Sequence, residues 1–496
     1  EVSGDFDEEG NRLFKNTDSN GRFHTDWLNM MYPRLKLARD LLSDDGVIFI
    51  SIDDNEVKNL RNICDEIFGE ASFIGELVWH KKTQPSFLSK EVANIKEYAL
   101  FYKKDSKETI KTFGGLTDTN KHIEMINISN RNDIRIIKKD NLLVSNGKFN
   151  GVLEPGIYGN GDLKIELQNK VNVKLGKPEE DMKLYGRFKW AQETMEASFT
   201  EGDIYHIKSI KSLRPTVEKK NKKPNIKATI DILSKKFDRN IATNTDANKE
   251  IRNIFDGELV MDYPKPVNYI KYLIKAITYE SNDRNNIILD FFSGSATTAH
   301  AVMELNAEDN GNRKYIMVQL PEETEEKSEA YKAGYKNICE IGKERIRRAG
   351  KKIKEDYPDS KFDDGFRVLR VDSSNMKDVY HKPEDYSQSF LDKMESNIKE
   401  DRNEEDLLFQ VMLSLGIDLS SKIEKEKIND NKVLIVEDGF LISCFDEEIS
   451  EETVESIAKK QPYYAVFSEG KMSDSTLANF EQIFDTYSPT TIRKVI

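Results

Sequence analysis

Ile287–Ala301 reads Ile-Ile-Leu-Asp-Phe-Phe-Ser-Gly-Ser-Ala-Thr-Thr-Ala-His-Ala. An apolar run, Ile287 to Leu289, ends in Asp290, passes into a turn of small residues and opens a helix at Thr297–Thr298. These residue types suit ligand binding. Small side chains let a ligand approach the backbone, and the first turn of a helix offers N–H donors that have no partner inside the helix. The order predicts a parallel strand feeding a cofactor loop in an α/β sheet. The three glycines of a dinucleotide fingerprint are missing, and so is the lysine of a phosphate loop, so the usual nucleotide readings fit poorly.

The neighbouring residues supply the elements that hold such a loop. Pro266 sits where a first helical turn tolerates it, with Val267, Ile270, Leu273, Ile274 and Ile277 on one face. After the loop helix, Tyr315–Leu320 predicts a second strand, completing a βαβ unit. A basic helix follows over Ile338–Ile353, with Arg345, Arg347, Arg348, Lys351 and Lys352. Far upstream, Trp27, Met31, Leu35, Ala38 and Leu42 recur at helical spacing, and Ser43-Asp-Asp-Gly46 stops that helix. The continuous run Val47–Ile52 predicts a strand buried on both faces of a parallel sheet. Asp53-Asp-Asn55 then caps a helix carrying Val57, Leu60, Ile63, Cys64 and Ile67.

The middle of the chain differs. Short strand-like pieces (Tyr98–Tyr102, Ile134–Ile137, Leu142–Val144) alternate with Asn, Gly and Lys clusters, and Glu218–Pro224 is a polar loop. The chain carries a net charge of −13, yet residues 81–250 hold 33 Lys and Arg against 23 Asp and Glu. A basic middle in an acidic chain is the footprint of a module facing nucleic acid, or of a solvated lysine-rich surface. After Lys361 a small α/β domain begins, marked by the hairpin Val433–Val436, Glu437-Asp-Gly-Phe440, Leu441–Phe445.

At 496 residues, 38% hydrophobic and 33% charged, the chain is long enough for two to four domains. No apolar run approaches a membrane span, and the start does not resemble a signal peptide. Cys64, Cys339 and Cys444 lie far apart in apolar contexts, which suits reduced core thiols in the cytoplasm. The six histidines are scattered and no zinc spacing exists, so no metal site is expected. The opening Glu1-Val-Ser-Gly-Asp has no initiator methionine, which suits a piece of a longer protein.

Asp290–Thr298 resembles the S-adenosylmethionine loop of amino-methylating DNA methyltransferases. Further stretches resemble the modification subunit of type III restriction-modification systems: Gly21–Leu35, Leu42–Asp54, Asn312–Pro321, Ile341–Gly350 and Val371–Asn375. The resemblance runs nearly end to end and is weakest in the middle. It implies an α/β fold, the Rossmann-like open sheet of S-adenosylmethionine-dependent methyltransferases. In this family the order is circularly permuted: catalytic motif first, target recognition next, cofactor motifs last. Residues 1–80 would be the catalytic-side part of the methyltransferase domain and 81–254 the inserted target-recognition domain. Residues 255–357 would be the S-adenosylmethionine-binding part and 358–496 the small C-terminal α/β domain. The two methyltransferase parts would share one sheet.

The implied reaction transfers a methyl group to the exocyclic amine of adenine, whose lone pair is delocalised into the ring. The family localises that lone pair with an Asp-Pro-Pro-Tyr tetrapeptide, acting on a base flipped from the stack. This sequence has no such tetrapeptide, and Gln461-Pro-Tyr-Tyr464 reads as a strand entrance, so no catalytic residue is assigned and the chain alone is expected to be inactive. By resemblance the cofactor would meet Asp290, Phe292, Ser293, Gly294, Ser295, Ala296, Thr297 and Thr298. Ala296 would replace a common glycine, which requires a negative φ. Gln319 would accept from the ribose hydroxyls, and Lys265 and Pro266 belong to a motif closing over the cofactor, Lys265 as carboxylate partner. Trp79-His-Lys-Lys82 and Gly186-Arg-Phe-Lys-Trp190 interleave aromatics with bases, which makes Lys81, Lys82, Arg187 and Lys189 candidates for double-stranded DNA. Core aromatics beside surface lysines are the alternative. The family also implies a homodimer that recruits a helicase-nuclease restriction subunit, with residues 358–496 as an interface. Two other classes remain open: a DNA- and cofactor-binding scaffold without chemistry, and an oxidoreductase with a variant loop, which would prefer NAD.

Overall fold

The computed structural model describes residues 22–85, 92–117, 122–220, 224–279, 284–377 and 398–496. It divides into two compact units, Glu1–Asp364 and Gly365–Ile496, so the boundary falls seven residues later than the expected 358.

In the first unit, α1 (Phe23–Leu41) turns Met31, Leu35 and Ala38 inward, as their spacing demands. Met31 and Leu35 share a core with Leu60, Cys64 and Ile67 of α2 (Val57–Phe68) and the sheet residues Leu100 and Tyr102. Asp53 does not cap α2. Its carboxylate accepts from the Asn55 N–H in a local turn, and α2 begins after Glu56 without a side-chain cap. Three strands form the first sheet: β1 (Val47–Ile52), β2 (Phe73–His80) and β3 (Lys96–Lys103). The sheet order is β1-β3-β2, with Ile232–Leu233 adding parallel to β2.

The expected parallel setting of β1 is corrected here. β1 runs antiparallel to β3, with Ile48 opposite Tyr102 and Ile50 opposite Leu100. Its apolar run is accounted for by cover on both sides. Ile48, Ile50 and Ile52 face α1 and α2, while Phe49 stacks on Phe101 at 4.2 Å on the other face. Continuous hydrophobicity reports such cover and is blind to strand direction.

The inserted region is narrower than the expected 81–254, because β3 and Ile232–Leu233 belong to the first sheet. It enters and leaves through a paired neck. Gly114 donates its N–H to Lys227 (2.7 Å), Lys227 donates to Gly115 (2.8 Å) and Thr117 donates to Asn225 (2.8 Å). Beyond the neck lie short sheets around one core that includes Met125, Leu142, Leu184, Phe188, Tyr205 and Val217. One of them orders β4 (Ile123–Glu124), β7 (Pro215–Glu218), β6 (Ile204–Ile207) and β5 (Leu142–Val144) side by side.

The chain then returns through α3 (Asn244–Ile254) and α4 (Val267–Thr278), where Pro266 is the residue preceding the helix. The βαβ unit is β8 (Ile287–Asp290), α5 (Thr297–Asp309) and β9 (Lys314–Met317), with β8 and β9 parallel. The helix α6 (Ile338–Asp356) closes the unit. A single shared sheet is not what forms. Among the described residues β8 bonds only β9, and β1 only β3. The joint is α4: Tyr269 packs on Trp79 of the first sheet, and Val267 and Ile274 pack on Ala301, Val302 and Leu305 of α5. Ile288 and Tyr315 cover one face of the β8–β9 pair against these helices, and the other face leaves Ile287, Leu289 and Ile316 exposed.

The second unit is a five-stranded sheet with α7 (Glu404–Leu415) on one face. Its order is β10 (Ile423–Ile428), β11 (Asn431–Val436), β12 (Leu441–Cys444), β13 (Tyr464–Phe467) and β14 (Ile492–Val495). The helices α8 (Glu451–Lys459) and α9 (Asp474–Tyr487) pack on the other face. Its β11–β12 hairpin turns at Glu437-Asp-Gly439, and Gln461-Pro-Tyr-Tyr464 is the entrance of β13. Cys64 and Cys444 are buried thiols pushed up to about 12 and about 11 by their surroundings, which keeps them unreactive. No helix among the described residues is long and apolar enough to cross a membrane.

Candidate cofactor-binding site

The β8–α5 turn forms as its residues require. Asp290 ends the strand and holds both sides of the turn: its carboxylate accepts from the Phe292 N–H (3.2 Å) and from the Thr298 hydroxyl (2.6 Å). Gly294 takes φ +51°, and a side chain added there would meet only the Met261 methyl within 4 Å, so its surroundings leave room. The first turn of α5 has no side-chain cap, which leaves backbone donors at the site. Phe292 is half exposed at the rim.

Ala296 departs from expectation. It precedes α5 with φ 58° and ψ 39°, the left-handed region, where a Cβ is strained. α6 packs against the turn at Gly342, where an added Cβ would lie 3.5 Å from that of Ala296, an ordinary van der Waals contact. Ala296→Gly is expected to stabilise the chain by about 0.5–1 kcal/mol, since relief of strain exceeds the added freedom of the unfolded chain. Urea denaturation midpoints of the two chains check this.

Two further residues brace the loop. Gln319 accepts the Gly294 N–H on Oε1 at 2.8 Å, so its amide oxygen holds the loop. Arg345 was legible only as one member of a basic helix. It is fully buried on α6, and its Nη1 donates to Ser295 Oγ (2.8 Å) and Thr297 Oγ1 (2.6 Å). Its Nε and Nη2 have no hydrogen-bond partner. Burial lowers its pKa to about 10, opposed by the charge of Glu250, so it stays cationic at neutral pH. Beside it, His300 is held neutral by burial and by the Arg345 charge. The signal for Arg345 was its place in the apolar stripe Ile341, Arg345, Ala349, Ile353.

Lys265 is not free. Its ammonium pairs with Glu97 Oε2 at 3.1 Å, and Lys81 pairs with the other oxygen of the same carboxylate at 3.2 Å. The Lys265 carbonyl accepts from Thr297 Oγ1 (3.3 Å), which ties the segment before α4 to the loop. Glu97, on β3, escaped notice in the sequence because its partners lie 16 and 168 residues away.

The arrangement is a braced strand–loop–helix cradle following an inserted domain, and comparison with known proteins decides what kind of cradle. A family model described as DNA methylase matches residues 7–332. This chain belongs to the DNA methylase family. It is 33% identical over 350 residues to the Mod subunit of the type III restriction-modification enzyme StyLTI of Salmonella typhimurium, covering 70% of this chain and 48% of that protein. It is 29% identical over 409 residues to the EcoP15I Mod subunit of Escherichia coli, covering 76% and 60%. The type II methyltransferase M.KpnI of Klebsiella pneumoniae is 28% identical over 346 residues, covering 68% and 76%. The chain thus spans about half to three fifths of the length of the type III subunits it matches.

In this DNA methylase the residues expected to meet nucleic acid separate into two groups. Lys82 and Lys189 are exposed, whereas Lys81 is held by Glu97 and Arg187 donates to the Ile128 carbonyl at 2.9 Å. The aromatics between them are not stacking platforms. Trp79 is buried, donates Nε1–H to the Ala242 carbonyl (2.9 Å) and stacks on Tyr269 at 4.5 Å. Phe188 is in the core of the inserted domain. Trp190 is partly buried with Lys219 over its ring. The alternative reading, core aromatics beside surface lysines, holds at Trp79 and Phe188.

Proposed function

We propose that this chain is the cofactor- and DNA-binding body of a site-specific DNA adenine methyltransferase, the modification subunit of a type III restriction-modification system. The observation that carries it is the Asp290–Thr298 turn, held by Gln319 and Arg345, in a chain whose family is DNA methylase. The turn suits S-adenosylmethionine because Ser293, Gly294 and Ser295 keep the backbone approachable and the uncapped start of α5 receives a carboxylate. When bound, that cofactor supplies a methyl group on a sulfonium. Asp290, Ser293–Thr298 and Gln319 would hold it, with Phe292 at the rim and Pro266 just before the helix behind. Lys265 takes part only by leaving Glu97.

Lys82 and Lys189 on a region of net positive charge support the DNA reading, and the inserted domain supplies the surface. Double-stranded DNA, a second copy of the chain and a restriction subunit are the partners this function needs, in the bacterial cytoplasm. The second unit is the part we assign to protein partners. The amine chemistry needs an Asp-Pro-Pro-Tyr that these 496 residues do not contain. The chain by itself is therefore a binding module and transfers no methyl group.

Equilibrium dialysis against labelled S-adenosylmethionine and NAD tests the cofactor. Saturable binding of the first with at least about tenfold preference, near 1.4 kcal/mol, is expected. Preference for NAD would move the chain to the oxidoreductase class. Methyl incorporation into DNA by the purified chain would remove the binding-module reading.

A further inference from the structure

We propose that His122, His206 and Glu218 form a divalent transition-metal site, of the kind Zn2+ takes, on one face of the inserted domain. His206 and Glu218 stand on the adjacent strands β6 and β7, and His122 immediately precedes β4 on the other side of β7. β6 pairs His206 with Thr216 of β7, and β7 pairs Thr216 with Glu124 of β4. Continuing the β4–β7 register places His122 opposite Glu218. Period two then puts His122, His206, Thr216 and Glu218 on the same face. One ligand atom from each of the three lies within 4.8 Å of the others.

The spacing fits coordination. His206 Nε2 lies 2.9 Å and His122 Nε2 lies 3.7 Å from the same oxygen, Glu218 Oε2. Ligand atoms about 2.0–2.2 Å from a tetrahedral zinc are separated by roughly 3.3–3.5 Å, a value between those two distances. His122 is also oriented from behind. Its Nδ1 lies 3.3 Å from Thr216 Oγ1, which leaves Nε2 directed at the carboxylate, the arrangement that fixes a metal-binding tautomer. The rings of His122 and His206 stand 4.4 Å apart. His206 is buried, His122 partly so, and Glu218 is exposed, so solvent has access to the fourth position. Two imidazoles and one carboxylate are a donor set for Zn2+ and its neighbours, not for Mg2+ or Ca2+. The ligands lie 84 and 12 residues apart, which is why no spacing motif marks them.

The test uses the tag-free full chain, stripped with chelator and dialysed against Zn2+ at neutral pH, with bound metal counted by mass spectrometry. One equivalent per chain is expected, and the same dialysis with Mg2+ leaves none. His122→Gln and Glu218→Gln abolish the equivalent while far-ultraviolet circular dichroism stays unchanged. Thr216→Val, which removes the hydroxyl behind His122 together with its bond to the His206 carbonyl, weakens affinity by about tenfold or more. Co2+ in place of Zn2+ gives the visible absorption of a four-coordinate centre. The proposal is overturned if the wild-type chain takes up less than half an equivalent, or if the His122 and Glu218 variants bind as it does.

Discussion

Arg345→Met weakens S-adenosylmethionine binding about a hundredfold and leaves the fold nearly as stable as before. The first effect follows from the two hydroxyls that Arg345 holds at 2.8 and 2.6 Å, Ser295 and Thr297, both in the loop. Hydrogen bonds to a charged donor contribute about 1.5–3 kcal/mol each, so their joint loss is on the order of 3 kcal/mol, or two decades in affinity. The second effect follows from the cost of the charge itself. A guanidinium with no exposed surface and two unpartnered nitrogens is expensive to bury, and an apolar replacement of similar length relieves that cost. Arg345→Lys keeps the charge but reaches fewer hydroxyls, and an intermediate loss of about tenfold is expected. Calorimetric titration together with urea denaturation separates the two effects. Wild-type affinity in the methionine variant would show that the loop holds its shape without Arg345.

Trp79→Ala costs about 3–5 kcal/mol of stability, the range for truncating a buried indole. Trp79 lies 1% exposed between the first sheet and α4, and its N–H has a buried carbonyl partner. Its ring stacks on Tyr269, whose hydroxyl lies 3.3 Å from Ser51 Oγ of β1. Trp79→Phe keeps the stacking and loses the hydrogen bond, for a smaller cost of about 1–2 kcal/mol. Chemical denaturation gives both values. The opposite pattern, unchanged stability with reduced DNA affinity, would return Trp79 to the nucleic-acid surface.

The parts of this molecule that sequence alone makes legible are those written in short spacing. The turn from Asp290 to Thr298 is local, since its two carboxylate bonds span two and eight residues, and its residue types specify it. The same holds for α1, α4, α6 and the β11–β12 hairpin, where period and turn chemistry agree. What stayed hidden depends on partners far along the chain. Gln319 meets Gly294 across 25 residues, and Glu97 joins Lys81 to Lys265. Arg345 was hidden differently: a cation on a helix is ordinarily solvated, and only its place in an apolar stripe says otherwise. Trp79 and Phe188 stand near lysines in sequence yet are buried, Trp79 against Tyr269 of α4 and Phe188 in the core of the inserted domain, contacts that lie far along the chain. The left-handed Ala296 reverses the negative φ expected of it.

The neck of the inserted domain has a consequence for how this chain changes over generations. Residues 114–117 and 225–227 form a short ladder, and the core beyond it is made wholly from the residues it encloses. Substitutions beyond the ladder therefore fall in a core separate from the packing around the β8–α5 turn. A segment bounded in this way behaves as a cassette: recombination within the two neck strands can replace its contents in one event. The contents can then change without re-optimising the core around the β8–α5 turn.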